Sequence, residues 1–160
     1  MFEADSCIFC DIYKDHTEVA GENQHFYWRF DRYPVSPGHI LIIPKRHVVS
    51  LFELTSHESM VLRDARKHAV ELIESIDMAK VYLGILDNFP DRRSAAMCRQ
   101  AIWNWKTGDR KPDGYTIGVN EGEAAGRSIS HLHEHIIPRY WGDVENPIGG
   151  VRHLISEKEV

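Results

Sequence analysis

Hydrophobic and polar positions alternate with a short period at both ends of this chain and with a helical period in the middle. From Gln24 to Phe30 the run His-Phe-Tyr-Trp-Arg-Phe has the aromatic content of a strand. Asp31 to Gly38 is rich in turn residues, and His39 to Ile43 is a second apolar run closed by Pro44. These two strands are expected to pair antiparallel. Thr55 and Glu58 stand at capping-box spacing, each able to satisfy a free amide at a helix start. Behind them Val61, Leu62, Ala65, Ala69, Leu72, Ile73 and Ile76 recur every three or four residues, predicting one long amphipathic helix to about Ser75. Arg63, Asp64, Arg66, Lys67 and Glu71 then form its solvated face.

The pattern is weakest between Asp77 and Lys111. Val81 to Leu86 reads as a short strand, Asn88 to Asp91 as a turn and Ser94 to Lys106 as a second helix, on which Trp103 and Trp105 are expected to pack against the body, with lining of a substrate pocket as the alternative. Lys111 to Gly114 is a turn and Tyr115 to Asn120 a strand. Glu121 to Gly126 is a small-residue loop that leads into His131-Leu132-His133-Glu134-His135-Ile136-Ile137. In an extended strand alternate side chains share a face, so the three histidines converge on one side while Leu132 and Ile136 enter the core. Glu134 faces the helix side, where a carboxylate needs a partner or a partly exposed site. Trp141 to Arg152 reads as loop and short extended pieces.

Composition narrows the function classes. The 160 residues carry a formal net charge of −5, which argues against a broad nucleic-acid or anionic-membrane footprint. The length fits one domain spanning 1–160. No apolar run has the length of a membrane span, and the acidic start Met1 to Asp5 lacks the features of a signal peptide, so the expected location is cytoplasmic. Cys7 and Cys10 form a C-x-x-C pair that reads as half of a zinc site, with two further ligands to be supplied elsewhere, in preference to a redox motif, for which no strand of sufficient length precedes it, or a coincidence of spacing. Cys98 stands alone as a small buried hydrophobe.

Three imidazoles on one face imply either a metal site or a polar reaction site. The order of motifs resembles the histidine-triad (HIT) family of nucleotide hydrolases and transferases. It rests on Cys7-Ile8-Phe9-Cys10, Asp31 to Pro44 with Pro-Val-Ser-Pro-Gly-His, Lys45-Arg46-His47, Asn120 to Gly126, and the triad followed by Pro138-Arg139. The resemblance implies an α+β fold with an antiparallel sheet and one main helix, to which 77–111 would be an added, largely helical segment, and a homodimer in which sheets join.

It implies further that His133 is a nucleophile toward a nucleoside phosphate, that His135 and His39 contact the phosphate, and that Asn120 and Ser128 hold its oxygens. Asp31 would bind the ribose, and Arg127, where many members carry glutamine, would bear on the leaving group. Cys7, Cys10, His47 and His131 match the ligands of the zinc-bearing members, where the zinc would be structural. The expected substrate is an adenosine nucleotide such as a dinucleoside polyphosphate or another adenylylated compound. A phosphorylase using phosphate as acceptor, a non-catalytic nucleotide-binding module and a catalytic metal held by the three histidines are the competing readings.

Overall fold

The computed structural model describes residues 6–108 and 111–151; Met1 to Asp5 and Arg152 lie outside them. The elements run α1 (Ile8–Lys14), β1 (Gly21–Glu22), β2 (Phe26–Phe30), β3 (Ile40–Pro44), α2 (Ser56–Ser75), α3 (Met78–Asn88), α4 (Arg92–Gly108), β4 (Gly114–Gly118) and β5 (Glu134–Arg139), with single 3-10 turns at Leu51–Glu53 and Glu123–Ala125. All strand pairs are antiparallel, in the order β1-β2-β3-β5-β4. No helix among the described residues is long and apolar enough to cross a membrane.

β2 and β3 are buried along their whole length because both faces of the sheet are covered, which is why they read as continuous apolar runs rather than as alternation. Phe26, Trp28, Phe30, Ile40, Ile42 and Ile136 face α2, α3 and α4, where they meet Leu62, Ala65, Ala69, Ile73, Tyr82 and Ile85. Tyr27, Leu41 and Ile43 face the other way and are covered by Phe9 and Ile12 of α1. The Tyr27 hydroxyl donates to the Phe9 carbonyl at 2.7 Å, fastening α1 to that face.

The predicted capping box of α2 is present in full: Thr55 Oγ1 accepts from the Glu58 amide at 3.2 Å, and Glu58 Oε2 accepts from the Thr55 amide at 2.8 Å. Glu58 is also gripped by both arms of Arg46, at 2.6 and 2.8 Å. This guanidinium holds the Glu58 carboxyl down at about 2, against an ordinary 4.5. A carboxyl depressed on folding adds stability that is complete above the unfolded value and is lost as pH falls toward the folded one. The gap in thermal midpoint between wild type and Glu58→Gln should therefore be constant above about pH 5 and close toward pH 2. A gap independent of pH across that window would refute the assignment.

The weakly patterned segment departs from the reading. Val81 to Leu86 is not a strand; it lies inside α3, whose start is capped by Asp77 Oδ1 accepting from the amides of Ala79 and Lys80. Met78, Ala79, Tyr82 and Ile85 bury one side of that helix, a period that a six-residue apolar window is too short to reveal. The predicted second helix is α4, with Cys98 and Ala101 in the core as expected for Cys98. Trp105 is partly buried against the core, whereas Trp103 is exposed.

Candidate active site

The sequence places Cys7 at the N-cap of α1 and Cys10 three residues on. Positions three apart on a helix are neighbours, so both thiols reach one side. That side meets the residues that follow β3 and those that precede β5. Pairing of β5 with β3 stops at Glu134↔Ile42, so His131 and His133 stand before the strand rather than inside it as predicted. The chain there bonds to the segment beyond Pro44 instead: the Leu132 amide donates to Val48 at 2.7 Å, and His131 Nε2 donates to the Pro44 carbonyl at 2.9 Å. A carbonyl only accepts, so in the neutral His131 ring Nδ1 keeps its lone pair.

That nitrogen lies 3.3 Å from Cys7 Sγ and 3.5 Å from Cys10 Sγ, and His47 Nδ1 lies 3.4 Å from Cys10 Sγ. The four ligand atoms of Cys7, Cys10, His47 and His131 are all within 4.8 Å of one another and can hold a metal ion. The sulfur–nitrogen spacing fits a tetrahedron with bonds of about 2.3 and 2.0 Å, whose edge is about 3.5 Å. Burial and the adjacent Cys7 push the Cys10 thiol up to about 11, an effect that a divalent cation between the sulfurs would reverse. Burial likewise holds His131 down at about 4, in the neutral form a metal needs.

His133 is fixed by the same backbone. Its Nδ1 donates to the His131 carbonyl at 2.8 Å, which leaves Nε2 as the lone-pair nitrogen of the neutral ring. Phe9, between the two cysteines, meets the rings of His131 and His133 edge-on, at 5.9 and 5.2 Å between centroids. The Cys/His cluster and the middle histidine are thus braced by one helix turn, a role for Phe9 that its apolar character alone did not announce.

His135 is in β5, opposite Leu41 and Gly118, on the face that α1 covers beside it. Its ring lies 5.1 Å from that of His133, and its Nδ1 shares one proton with His39 Nε2 at 3.0 Å. His39 Nδ1 lies 3.5 Å from Asp31 Oδ2, and Asp31 Oδ1 caps the loop by accepting from the Tyr33 amide at 2.9 Å. Burial holds His39 down at about 4, with the Asp31 carboxylate opposing and His135 and His133 reinforcing the shift. Burial and then His133 lower His135 as well. Asp31, His39, His135 and His133 thus form one continuous line of polar side chains.

The loop carrying Asp31 and His39 is held from behind. Gly38 has φ +91, and a Cβ there would lie 3.0 Å from both Ile73 and Pro138, so only glycine fits. Its amide donates to Tyr82 Oη of α3 at 2.8 Å, and Ser94 Oγ of α4 donates to the Arg32 carbonyl at 2.5 Å. The middle segment therefore buttresses this loop, which no local pattern in 77–111 indicated.

The remaining predicted residues lie on the approach. Asn120 follows β4 two residues after the partner of His135, and its amide nitrogen would be 3.2 Å from a Cβ at Gly126. Ser128 is exposed, and no hydrogen bond among the described residues ties it or Asn120 to a histidine. Arg127 donates to the Val49 carbonyl at 2.9 Å and lies 3.7 Å from Glu121.

Two side chains read as separate are one pair. Glu134 is buried on the helix side, where Arg66 grips both its oxygens at 2.7 Å; Arg66 is therefore not merely part of a solvated face. Arg66→Met should cost about 3 kcal/mol by stranding a buried carboxylate, and Arg66→Met with Glu134→Gln should recover part of it. Denaturant unfolding measures both, and an unchanged single variant would remove this pair as the anchor behind the histidine strand.

A family model for the HIT domain matches residues 14–142. The chain is 32% identical over 142 residues to the Bacillus subtilis protein Hit, covering 88% of this chain and 75% of that one. It is 27% identical over 126 residues to an AP-4-A phosphorylase of Mycobacterium tuberculosis, covering 78% of this chain but 48% of that one. Among solved structures, a Bacillus subtilis member of the HIT family has a TM-score of 0.51 at 26% identity, covering 98% of this chain and 99% of that one. A Zn-bound histidine triad family protein of Mycobacterium smegmatis has a TM-score of 0.55 at 23% identity, covering 94% and 91%. The α+β fold of this chain, a five-stranded antiparallel sheet with four helices among the described residues rather than one main helix, matches these solved structures. The match over most of the length, with the triad and its flanking loop in place, shows that this chain belongs to the HIT family.

Proposed function

We propose that this chain is a nucleotidyl hydrolase or transferase that opens dinucleoside polyphosphates or other adenylylated compounds through a nucleotidyl-histidine intermediate. The observation that carries this reading is the bond from His133 Nδ1 to the His131 carbonyl, which leaves Nε2 of the neutral ring with its lone pair. A neutral imidazole is a competent nucleophile toward phosphorus. Nε2 attacks the α-phosphorus, the bond to the bridging oxygen breaks, and the departing nucleotide leaves with that oxygen. Water then attacks the same phosphorus, the P–N bond breaks, and a nucleoside monophosphate is released with the imidazole restored.

His135 donates to the phosphate oxygens as charge grows on them, which is where electrostatic catalysis gains most. His39, whose two ring nitrogens face His135 and Asp31, orients that ring instead of reaching the phosphate as the resemblance implied. Ser128 and Asn120 hold the same oxygens from the loop, and Asp31 receives the ribose hydroxyls. Arg127, bonded once to Val49, directs the rest of its fork at the departing phosphates. Cys7, Cys10, His47 and His131 hold zinc, in line with their donor set and with the Zn-bound family member. Four protein ligands leave no open position, so its chemistry is structural. The chain acts as a homodimer joined through an edge of its sheet.

A second reading is favoured by the likeness to an AP-4-A phosphorylase: inorganic phosphate rather than water takes the nucleotidyl group. Incubation with diadenosine tetraphosphate, with and without phosphate, separates the two. AMP and ATP in both conditions support the hydrolase; ADP formed only with phosphate supports the phosphorylase. No cleavage of diadenosine tetraphosphate or of adenosine phosphoramidate under either condition rejects both.

A further inference from the structure

A cleft of about 840 Å³ opens at the Arg139 end of β5, running from the histidine side of the sheet round to the end of α4, and none of the residues assigned above lines it. Its floor is Ile137 and Arg139 of β5 with Thr116 of β4. Side chains two apart on a strand share a face, so Ile137 and Arg139 continue the row that begins at His135. Thr116 is the direct partner of Ile137 and lies on the same face. One wall is Val35 to Pro37, in the loop that carries Asp31 and His39. The cleft is therefore continuous with the phosphate site, starting about 7 Å beyond His135 along the strand.

The lining selects the class of ligand. Trp105 of α4 and Trp141 after β5 supply aromatic faces. The one cation on the floor, Arg139, is held by both oxygens of Asp143, at 2.7 and 2.9 Å, and touches Thr116 Oγ1 at 3.3 Å. A neutralised floor beneath aromatic walls suits a planar, uncharged group rather than a chain of phosphates. Phosphates belong instead to the line of histidines. Resting on the proposed nucleotidyl-transfer reading, we infer that this cleft receives the second nucleoside of a dinucleoside polyphosphate, the half that departs when His133 takes the first. Two of its walls come from α4 and the segment after β5, so the buttressing middle segment also sets substrate length.

The test measures binding rather than turnover, so that it stands apart from the proposed activity. In His133→Ala, dissociation constants are measured by titration calorimetry for diadenosine tetraphosphate and for adenosine 5′-tetraphosphate, which has the same phosphates but one nucleoside. Base–aromatic stacking of ordinary strength makes the two-nucleoside ligand about tenfold tighter. Trp105→Ala and Trp141→Ala, each added to that background, should reduce the ratio to near one. The thermal midpoint of each variant is measured alongside, so that the ratio is read only from folded chains. Equal affinities in the parent, or a ratio that survives Trp141→Ala and a folded Trp105→Ala, would overturn the inference. Failure of wild type to cleave any nucleotide while the ratio behaves as expected would instead reject the activity and leave the cleft assigned.

Discussion

His133→Ala is expected to lower turnover of diadenosine tetraphosphate by at least about 10⁴-fold, because removal of a nucleophile leaves only binding and electrostatic stabilisation to act on solvent attack. The substitution should not unfold the chain: His133 contributes one bond to a neighbouring carbonyl and an edge contact to Phe9. His39→Ala should be milder, about 10²-fold, since it removes the partner that orients His135 and no group that touches the reacting phosphorus. Steady-state kinetics on both variants, with the thermal midpoint as a control, provide the check. Equal losses in the two would place the reaction on the shared proton between His39 and His135 instead of on His133.

The second large effect is on stability. Cys10→Ser should remove the bound metal and lower folding stability on the order of 3–5 kcal/mol, because the cluster ties α1, the segment after β3 and the approach to β5 at one point. For a chain of this size that corresponds to a fall of about 10 °C or more in thermal midpoint. Prolonged chelation of wild type should reproduce it, and activity should be lost in step with structure. Metal analysis giving one zinc per wild-type chain and none in the variant completes the test. A chelated protein that keeps its thermal midpoint but loses activity at once would make the metal catalytic and move the ligands to the triad.

The two halves of this account were unequally legible. The long helix declared itself by period and cap, since Thr55 and Glu58 are local to each other and the stripe from Leu62 to Ile73 spans several turns. The histidines declared themselves by type and alternation, and C-x-x-C by spacing. What lay hidden depends on contacts between distant residues. Glu134 and Arg66 are 68 residues apart, and nothing near either one names the other. The strand of the triad begins at Glu134 because His131 and His133 spend their backbone and ring bonds elsewhere, a competition that alternation does not encode. Val81 to Leu86 is apolar on too many sides to reveal its period, and only packing against α4 and the core decides for helix. The support that Tyr82 and Ser94 give to the Asp31–His39 loop is of the same long-range kind.

The central claim, that His133 carries the nucleotidyl group, is tested most directly by rapid quench. Wild type and His133→Ala are mixed with diadenosine tetraphosphate, stopped in acid or in base within the first turnover, and weighed as intact chains. A phosphorus–nitrogen bond to histidine breaks in acid and persists in base, unlike a serine ester. The account predicts one adenylyl adduct in wild type that survives base, disappears in acid and never forms in His133→Ala. Absence of any adduct, together with unchanged turnover in His133→Ala, would contradict it.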